Sequence, residues 1–367
     1  MSSFTYLSQF IQHQWLKKGI WTMLLSPLSH LAKHIAQHKR HAFLQQSKPS
    51  FRAPVPVIVV GNIFVGGTGK TPLTIALVKA LQELGYHPGI ISRGYGAKIG
   101  KQPVVVDLQH NPSATQQPLA QSIGDEPSLL AQYAPIAVHP RRVQAAQALL
   151  NQVNGIDVII SDDGLQHYAL ARDIEIIVQD QRGIGNGYML PAGPLREPPS
   201  RLESVDFIVT NYNQRDNIPI HLLDATCLTE NAAKPHPRQI AMYLALSEFE
   251  NLSTGETCGI ETFLQRYTTE KIYAVAGIGN PQRFYQSLQA LGITPQKTRD
   301  FTDHYQFQAD DLQDFHDGIV LMTSKDASKC RSFARHNWWS VNMQAQFTNP
   351  EFFDEIHHLL SHLPLYS

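Results

Sequence analysis

The segment Gly61–Thr71 has the residue types and spacing of a phosphate-binding loop. In the sequence VPVIVVGNIFVGGTGKTP, a β-branched run ends in glycine, more glycines follow, and Gly69-Lys70-Thr71 opens a helical pattern. Glycines let backbone N–H groups wrap a phosphate, and a helix N-terminus adds partial positive charge. The lysine of such a loop reaches the β- and γ-phosphates of ATP, and the threonine hydroxyl ligates Mg²⁺. We predict that nucleotide is bound by Gly61, Asn62, Gly66, Gly67, Thr68, Gly69, Lys70 and Thr71.

Two positions of this loop depart from known variants of the pattern. The strict form GxxxxGK[ST] requires glycine at position 64, where this chain has Phe64. A second class, KGGxGK[ST], requires lysine where this chain has Val65. The second departure argues against the membrane-cycling and metal-delivery ATPases of that class.

A pair of carboxylates follows another apolar run, in VIISDDGLQH. An acidic residue at the carboxyl end of a strand beside the loop strand is where a P-loop enzyme holds Mg²⁺ or its waters. Asp162 and Asp163 are therefore predicted metal ligands, although adjacent acids after a strand also form ordinary turns and helix caps. Gln166 and His167 either face the same cleft or cap the loop.

Two more positions have the chemistry of a general base for an acceptor hydroxyl. Asp125 and Glu126 stand before a proline, where acids also complement the dipole of a helix start. His304 follows Asp303 in a short polar break, and histidine titrates near neutrality, yet the chain has 17 histidines. Composition alone does not favour a catalytic role for either position.

Arginine suits bidentate binding of phosphate. Arg93 and Arg196 lie in Gly- and Pro-rich loops and are favoured over the other arginines, which are more typical of a protein surface. The segment VAGIGNP resembles half of a dinucleotide fingerprint but has Gln282 where the third glycine is needed. A dinucleotide site is therefore not expected.

Strand and helix patterns alternate along the chain, which predicts an α/β fold with a P-loop NTPase-like, mostly parallel sheet flanked by helices. A second α/β pattern follows polar stretches at 211–216 and 230–238, which we interpret as links between domains. We predict three regions: a basic amphipathic helical region at 1–52, a P-loop kinase core at 53–235 and a smaller α/β domain at 236–367.

Composition describes a globular protein: 43% of the 367 residues are hydrophobic and 17% charged. A net charge of -1 argues against a general nucleic-acid binder. The three cysteines are scattered, so neither a disulfide framework nor a zinc site is expected, and a reducing cytoplasm fits.

The charge is unevenly distributed, because no Asp or Glu precedes Glu83. The first 52 residues instead combine lysines, arginines and five histidines with Trp15, Trp21 and apolar residues at helical spacing. No apolar run approaches the roughly 18–20 residues needed to span a bilayer. The pattern favours a helix lying on an anionic membrane surface, with a helix packed on the protein's own core as the alternative.

Taken in order, these motifs resemble one family. GNIFVGGTGKTP, SRGYG, GDEP, SDDGLQH, PAGPLRE, DHYQF and LMTSKDASKC are similar to the tetraacyldisaccharide 4'-kinases, the lipid A 4'-kinases of Gram-negative bacteria. The resemblance runs from the basic N-terminal region to about residue 330, and the family's own loop shares the departure at Phe64. At Ser324 the chain departs from the family motif, which has glutamate there.

The resemblance implies transfer of the γ-phosphate of ATP to the 4'-hydroxyl of a tetraacylated glucosamine disaccharide 1-phosphate, at the cytoplasmic face of the inner membrane. It implies that Asp125 and His304 form a dyad that activates this hydroxyl. Carried over by motif, catalysis is assigned to Asp125, His304 and Lys70, metal binding to Thr71, Asp162, Asp163 and Glu126, and a phosphate contact to Arg196. Arg93 and Gln166 join Arg196 as substrate-binding candidates because of their loop positions.

Two competing interpretations remain open at the level of sequence. One is a P-loop switch ATPase that binds membrane and recruits a partner without an acceptor substrate. The other is a soluble small-molecule kinase whose N-terminal helix is structural. For the favoured kinase, the expected partners are the lipid A disaccharide precursor and the anionic inner-membrane surface, with no nucleic acid and no obligate protein partner.

Overall fold

The computed structural model describes residues 11, 14–95, 97, 99–110, 119–219, 222, 237–279, 281–302 and 305–364. The helices are α1 (Ile20–Leu44), α2 (Lys70–Glu83), α3 (Leu119–Ile123), α4 (Asp125–Leu130), α5 (Arg142–Gln152), α6 (Ile260–Arg266), α7 (Pro281–Ala290), α8 (Ser324–Cys330) and α9 (Phe352–Ser361). The strands are β1 (Val57–Gly61), β2 (Pro88–Ser92), β3 (Val104–Val106), β4 (Ile136–Val138), β5 (Val158–Asp162), β6 (Ile174–Asp180), β7 (Phe207–Tyr212), β8 (Arg238–Asn251), β9 (Thr257–Gly259), β10 (Ile272–Ala276), β11 (Lys297–Asp300), β12 (Ile319–Thr323) and β13 (Trp338–Phe347).

All of these strands belong to one sheet, in the order β11-β10-β12-β13-β8-β7-β6-β1-β5-β2-β4-β3, with β9 paired to β8. Most neighbours are parallel, and the antiparallel pairs in the described part of the chain are β8–β13, β3–β4 and β8–β9. Helices cover both faces of the parallel stretches, because crossover connections place them there. The predicted α/β class with a mostly parallel sheet is confirmed.

The antiparallel pair β8–β13 joins two sets of parallel strands. The last residue of β7, Tyr212, pairs with Tyr243 near the middle of β8. The last residue of β12, Thr323, pairs with Val341, which in turn pairs with Phe249. Since β8 and β13 run in opposite directions, the carboxyl ends of the two strand sets point toward each other. The gap between them, which β8 and β13 cross, forms a cleft.

Buried side chains fill both faces of each strand set. On the P-loop half, one core contains Ile58, Leu77 and Ile160, and the other contains Val59, Ile91 and Ile159. The C-terminal helix α9 returns to this half, where the Phe352 ring lies 5.3 Å from the Phe207 ring. The division into regions 1–52, 53–235 and 236–367 stays a prediction.

Helix α1 lies against the P-loop half through small residues and leaves a wide apolar face in water. Thr22 and Ser29 are buried on the inner side, and Ala32 and Ala36 pack on the core. The exposed apolar side chains are Ile20, Trp21, Met23, Leu24, Leu28, Leu31 and Ile35. Among the described residues, no helix combines the length and hydropathy needed to cross a bilayer.

The sequence patterns predicted alternating strands and helices but misplaced one link between domains. Asn211 belongs to β7 and is buried, so the interpretation of 211–216 as a domain link is wrong at its start. Arg238 begins β8, and most of the second stretch, residues 230–236, lies outside the described residues. Strands β8 and β13 were not predicted, because their mixed polar and apolar residues show no clean period-two alternation.

Candidate active site

The phosphate-binding loop connects β1 to α2 and turns into the helix at Gly69. Gly69 has φ 102°, and a Cβ on it would lie 2.3 Å from Asn211 Nδ2, so both the backbone angle and the space require glycine. The Asn211 side chain donates to Thr68 O at 3.1 Å. Strand β7 therefore supports the loop from below, and the N-terminus of α2 opens into the cleft.

Asn62 and Phe64 set the shape of the first half of the loop. Asn62 Nδ2 donates to Gly66 O and to Thr68 Oγ1, both at 3.2 Å. Phe64, where the strict pattern has glycine, is buried, pairs with Leu195 and lies under the Arg182 guanidinium. The aromatic ring thus ties this loop to the Gly- and Pro-rich segment 183–196, which explains how the departure is tolerated.

Asp163 is held by two cations at the mouth of the loop. Its Oδ1 accepts a hydrogen bond from Arg196 at 3.0 Å and lies 3.7 Å from Lys70 Nζ. Burial alone would raise the pKa of Asp163, but Lys70 and Arg196 together hold the pKa below its usual value. Arg196 also donates to Gln166 Oε1 at 2.8 Å, which places Gln166 behind the arginine.

Asp162 has the opposite electrostatic environment. It ends β5, is almost fully buried and accepts from Ser92 Oγ at 3.1 Å through Oδ2. Its Oδ1 has no hydrogen-bond partner among the described residues. Burial, with the nearby negative charge of Glu126, raises the pKa of Asp162 to about 6. A buried carboxylate oxygen without a partner is the kind of atom that a metal ion or its water satisfies.

A buried arginine supports the backbone of both carboxylates. Arg142 Nη2 donates to Asp162 O at 2.9 Å and to Asp163 O at 3.4 Å. Burial lowers the pKa of this guanidinium to about 10. The expectation that Arg142 lies on the surface is wrong, because α5 directs its first turn beneath the β5 end. Burial, with the charge of the same arginine, lowers the pKa of His167 to about 3, so that imidazole is neutral at pH 7.

Asp125 stands on another wall of the cleft, as the first residue of the short helix α4. Gly124 precedes it with φ 97°, and a Cβ there would lie 2.7 Å from Tyr95 O. The Asp125 side chain is 6% exposed and lies 3.2 Å from the Nζ of Lys329, which comes from α8 in the second strand set. Glu126 is exposed beside it.

One cleft of about 1960 Å³ collects most of the predicted site residues from both strand sets. The predicted residues that line it are Gly66, Gly67, Gly69, Lys70, Thr71, Arg93, Asp125, Glu126, Asp162, Asp163 and Arg196. Asn62 and Thr68 are buried in the wall of the loop. His304 and its neighbour Asp303 lie outside the described residues, so their place in this site stays a prediction.

Sequence reasoning missed three polar residues that shape this cleft: Asn211, Arg283 and Lys329. Arg283 in α7 donates through Nη2 to Asn211 Oδ1 at 3.0 Å and to Tyr212 O at 2.9 Å, so the second strand set reaches the support of the loop. Lys329 lies in the motif LMTSKDASKC without a role predicted for it, and no local motif marks Asn211 or Arg283. Their contacts with residues of the other strand set form only when the β8–β13 pair brings the two sets together.

Comparisons with known proteins agree over nearly the full length. Residues 21–361 match the family described as Tetraacyldisaccharide-1-P 4'-kinase. The chain is 45% identical over 351 residues to the Tetraacyldisaccharide 4'-kinase of Bordetella petrii. The aligned region covers 95% of this chain and 94% of the relative. It is also 45% identical over 329 residues to the enzyme of that name from Vibrio cholerae, covering 88% of this chain and 87% of the relative.

The fold is also that of a solved structure. The "apo" form LpxK from Aquifex aeolicus in complex with ATP superposes with a TM-score of 0.74 at 25% identity, covering 92% of this chain and 99% of that one. The resemblance inferred from the ordered motifs is confirmed. The chain belongs to the tetraacyldisaccharide 4'-kinase family.

Proposed function

We propose that this protein transfers the γ-phosphate of ATP to the 4'-hydroxyl of a tetraacylated glucosamine disaccharide 1-phosphate in lipid A biosynthesis. The observation that carries the proposal is the single cleft in which the phosphate-binding loop and Asp125 lie on different walls. Such a site holds a nucleotide phosphate on one side and leaves a carboxylate for the acceptor on the other.

Nucleotide phosphates bind at the N-terminus of α2 in this proposal. The backbone N–H groups of Gly66–Thr71 and the Lys70 ammonium surround the β- and γ-phosphates. Lys70 and Arg196 now share the carboxylate of Asp163. Both cations line the cleft beside the loop, so they can turn toward a phosphate when ATP enters. Arg93 adds a third cation on the same cleft.

The residues at the end of β5 fit Mg²⁺. The donor set is a threonine hydroxyl and carboxylates, the hard oxygen ligands this ion prefers. Asp162, with its unsatisfied buried Oδ1, is the better candidate than Asp163, whose oxygens bind Arg196. Among the described residues no three His, Cys, Asp or Glu side chains form a metal cluster. P-loop sites need none, since phosphates and waters complete the shell, and the ion neutralises charge developing on the phosphates.

Asp125 is proposed to accept the proton of the 4'-hydroxyl, with His304 as the second member of the dyad. The hydroxyl oxygen then bonds to the γ-phosphorus while the bond to the bridging oxygen of ADP breaks. A carboxylate at 6% exposure, shielded from bulk water, is suited to receive a proton from a bound hydroxyl. Glu126 lies next to it, toward the metal region.

Helix α1 is proposed to bind the cytoplasmic face of the inner membrane, as a peripheral or monotopic element. Its exposed apolar face, with Met23 76% and Leu24 65% exposed, has no partner in the described part of the chain. No acidic residue precedes Glu83, which suits an anionic lipid surface. The acyl chains of the acceptor can then remain in the bilayer while its headgroup enters the cleft.

The transfer assay with ATP, Mg²⁺ and the acylated disaccharide 1-phosphate tests the proposal. We expect ³²P from [γ-³²P]ATP to accumulate in the lipid. Release of inorganic phosphate alone, with no labelled lipid, would identify a switch ATPase and reject the kinase.

Flotation with vesicles containing anionic lipid tests the membrane surface. Replacing Leu24 and Leu28 by Ser should reduce the vesicle-bound fraction about 10-fold, because each side chain buries apolar area in the acyl boundary. Leu44→Ser is a matched control, because Leu44 is 63% exposed at the far end of α1. Equal binding of the double variant and the wild type would favour a helix that serves the fold alone.

A further inference from the structure

The ammonium of Lys329 lies against the proposed base from the opposite half of the chain. Lys329 is in α8, and its Nζ is 3.2 Å from Asp125 Oδ2, with the two side chains 2% and 6% exposed. Helix α8 packs directly on α4, the helix that Asp125 begins. A buried ion pair therefore joins the two halves at the carboxylate proposed as the base.

A second carboxylate fixes the lysine from below. Asp326 Oδ1 is 3.9 Å from Lys329 Nζ, and the Asp326 side chain is fully buried. Its other oxygen accepts from Gly277 N at 2.9 Å and from Thr323 Oγ1 at 2.7 Å. Because these bonds hold Asp326 to the ends of β10 and β12, the ammonium is attached to the rigid part of the second strand set.

The stability of the fold does not by itself explain the burial of this ion pair, because burying two charges costs free energy. Removing two charges from water costs several kcal/mol per ion, and a buried pair is often no more stable than apolar residues of the same volume. Lys329 Nζ also makes no hydrogen bond of good geometry within the described residues. Its interactions there are Coulombic, with Asp125 and Asp326 as the carboxylates within 4 Å. This arrangement orients a carboxylate better than it stabilises a fold.

We propose that Lys329 is a positioning residue for phosphoryl transfer. Its ammonium lies against Oδ2 of Asp125 and so fixes the direction of the carboxylate that lines the cleft. Because Lys329 belongs to the second strand set, the base has its working orientation only when the two halves are together. The inference rests on the function proposed above for Asp125 and adds a residue to it.

Steady-state kinetics of Lys329→Met tests this role, because methionine keeps the length and removes the charge. We expect kcat for lipid phosphorylation to fall about 10- to 100-fold, while the Kd for ATP stays within about 2-fold, since the loop lies on the other wall. Lys297→Met, at an exposed lysine in β11, is the matched control and should keep wild-type kcat. A kcat per folded molecule near that of the wild type would show that Lys329 serves the fold alone.

A double-mutant cycle distinguishes a positioning role from a purely structural one, because it measures whether the kcat losses at Lys329 and Asp125 are coupled. If Lys329 acts through Asp125, then adding Lys329→Met to Asp125→Asn should cause almost no further loss of kcat. Multiplicative losses in the double variant would overturn the proposal. Should Lys329→Met fail to fold, Lys329→Gln in the same cycle decides, and pairing it with Asp125→Asn avoids leaving the Asp125 carboxylate buried without the lysine.

The failure of this inference is distinct from the failure of the proposed function. A wild-type protein that does not phosphorylate the disaccharide rejects the function itself. A wild type that transfers phosphate beside a fully active Lys329→Met variant rejects the positioning role alone.

Discussion

The two walls of the cleft are built in different ways. The P-loop wall, from Gly61 to Thr71, comes from one contiguous segment, and its neighbours Asp162 and Asp163 follow the adjacent strand. The opposite wall is assembled from residues far apart in the chain, with Asp125 in α4 paired to Lys329 in α8. In the proposed function, one wall is a local motif for binding phosphate, and the other is a tertiary arrangement that positions the base for the acceptor.

This difference teaches where specificity resides. A phosphate-binding loop serves many P-loop proteins, so it identifies ATP but not the acceptor. The second wall exists only because β8 and β13 turn the carboxyl ends of two strand sets toward each other. Variants on the first wall should therefore affect binding of ATP, whereas variants on the second should spare it.

The largest loss is expected from Lys70→Ala on the P-loop wall. Removing the ammonium that faces the β- and γ-phosphates should lower kcat/KM roughly 10³-fold, because it deletes charge stabilisation of the transferring group. Both ATP binding by calorimetry and lipid phosphorylation should fall. Lys101→Ala, at an exposed lysine, is the control. Near-normal turnover would remove Lys70 from the site.

Asp125→Asn should distinguish the function of the second wall from that of the P-loop wall. We expect kcat to fall roughly 10²- to 10³-fold, since a general base typically contributes that much, with the Kd for ATP unchanged. Single-turnover transfer and calorimetric ATP binding are the measurements. Asp157→Asn, at an exposed carboxylate beside His87, is the control. A weakened Kd with an unchanged single-turnover rate would place Asp125 in nucleotide binding instead.

The contrast also explains what the sequence could predict. Gly61, Lys70, Thr71 and Asp162 were found from spacing, because the loop and strand ends are short-range signals. Asp125 gained its role only from the resemblance to a family, since local composition favours a helix cap. Arg142 and Asn211 carry no signal in one sequence, and the motif around Lys329 indicates no role for it, because the significance of all three depends on burial and on partners 20 to 204 residues away.

Arg196→Lys sharpens the account of the P-loop wall. Arginine here contacts both oxygens of Asp163 and the Gln166 amide oxygen, and lysine cannot reproduce that planar geometry. We expect kcat/KM to fall about 10-fold while lipid KM changes more than in Arg266→Lys, the control at an exposed ion pair. If kcat/KM of the Arg196→Lys variant equals that of the wild type, a positive charge alone suffices at this position.

The smallest effect should be a change in stability, and it has opposite signs at two adjacent carboxylates. Burial raises the pKa of Asp162 to about 6, so its ionised form destabilises the fold above that pH, and the penalty fades as pH falls toward 4. The pKa of Asp163 lies below its usual value, so that carboxylate stabilises the fold near neutrality, and the gain is lost as pH falls through the lowered pKa.

Thermal unfolding of the nucleotide-free protein should reveal this contrast. At pH 8, Asp162→Asn should stabilise the fold by on the order of 1–3 kcal/mol, the equivalent of its pKa shift, and Asp163→Asn should destabilise it. The Asp162→Asn difference should shrink as the pH is lowered toward 4, whereas the Asp163→Asn difference should persist there and fade only below the usual pKa of an aspartate. If Asp162→Asn instead lowers the melting temperature at pH 8, the β5 end carries no stored electrostatic cost. The end of β5 would then resemble an ordinary strand end, and the Asp162 Oδ1 without a hydrogen-bond partner among the described residues would no longer support a Mg²⁺ site there.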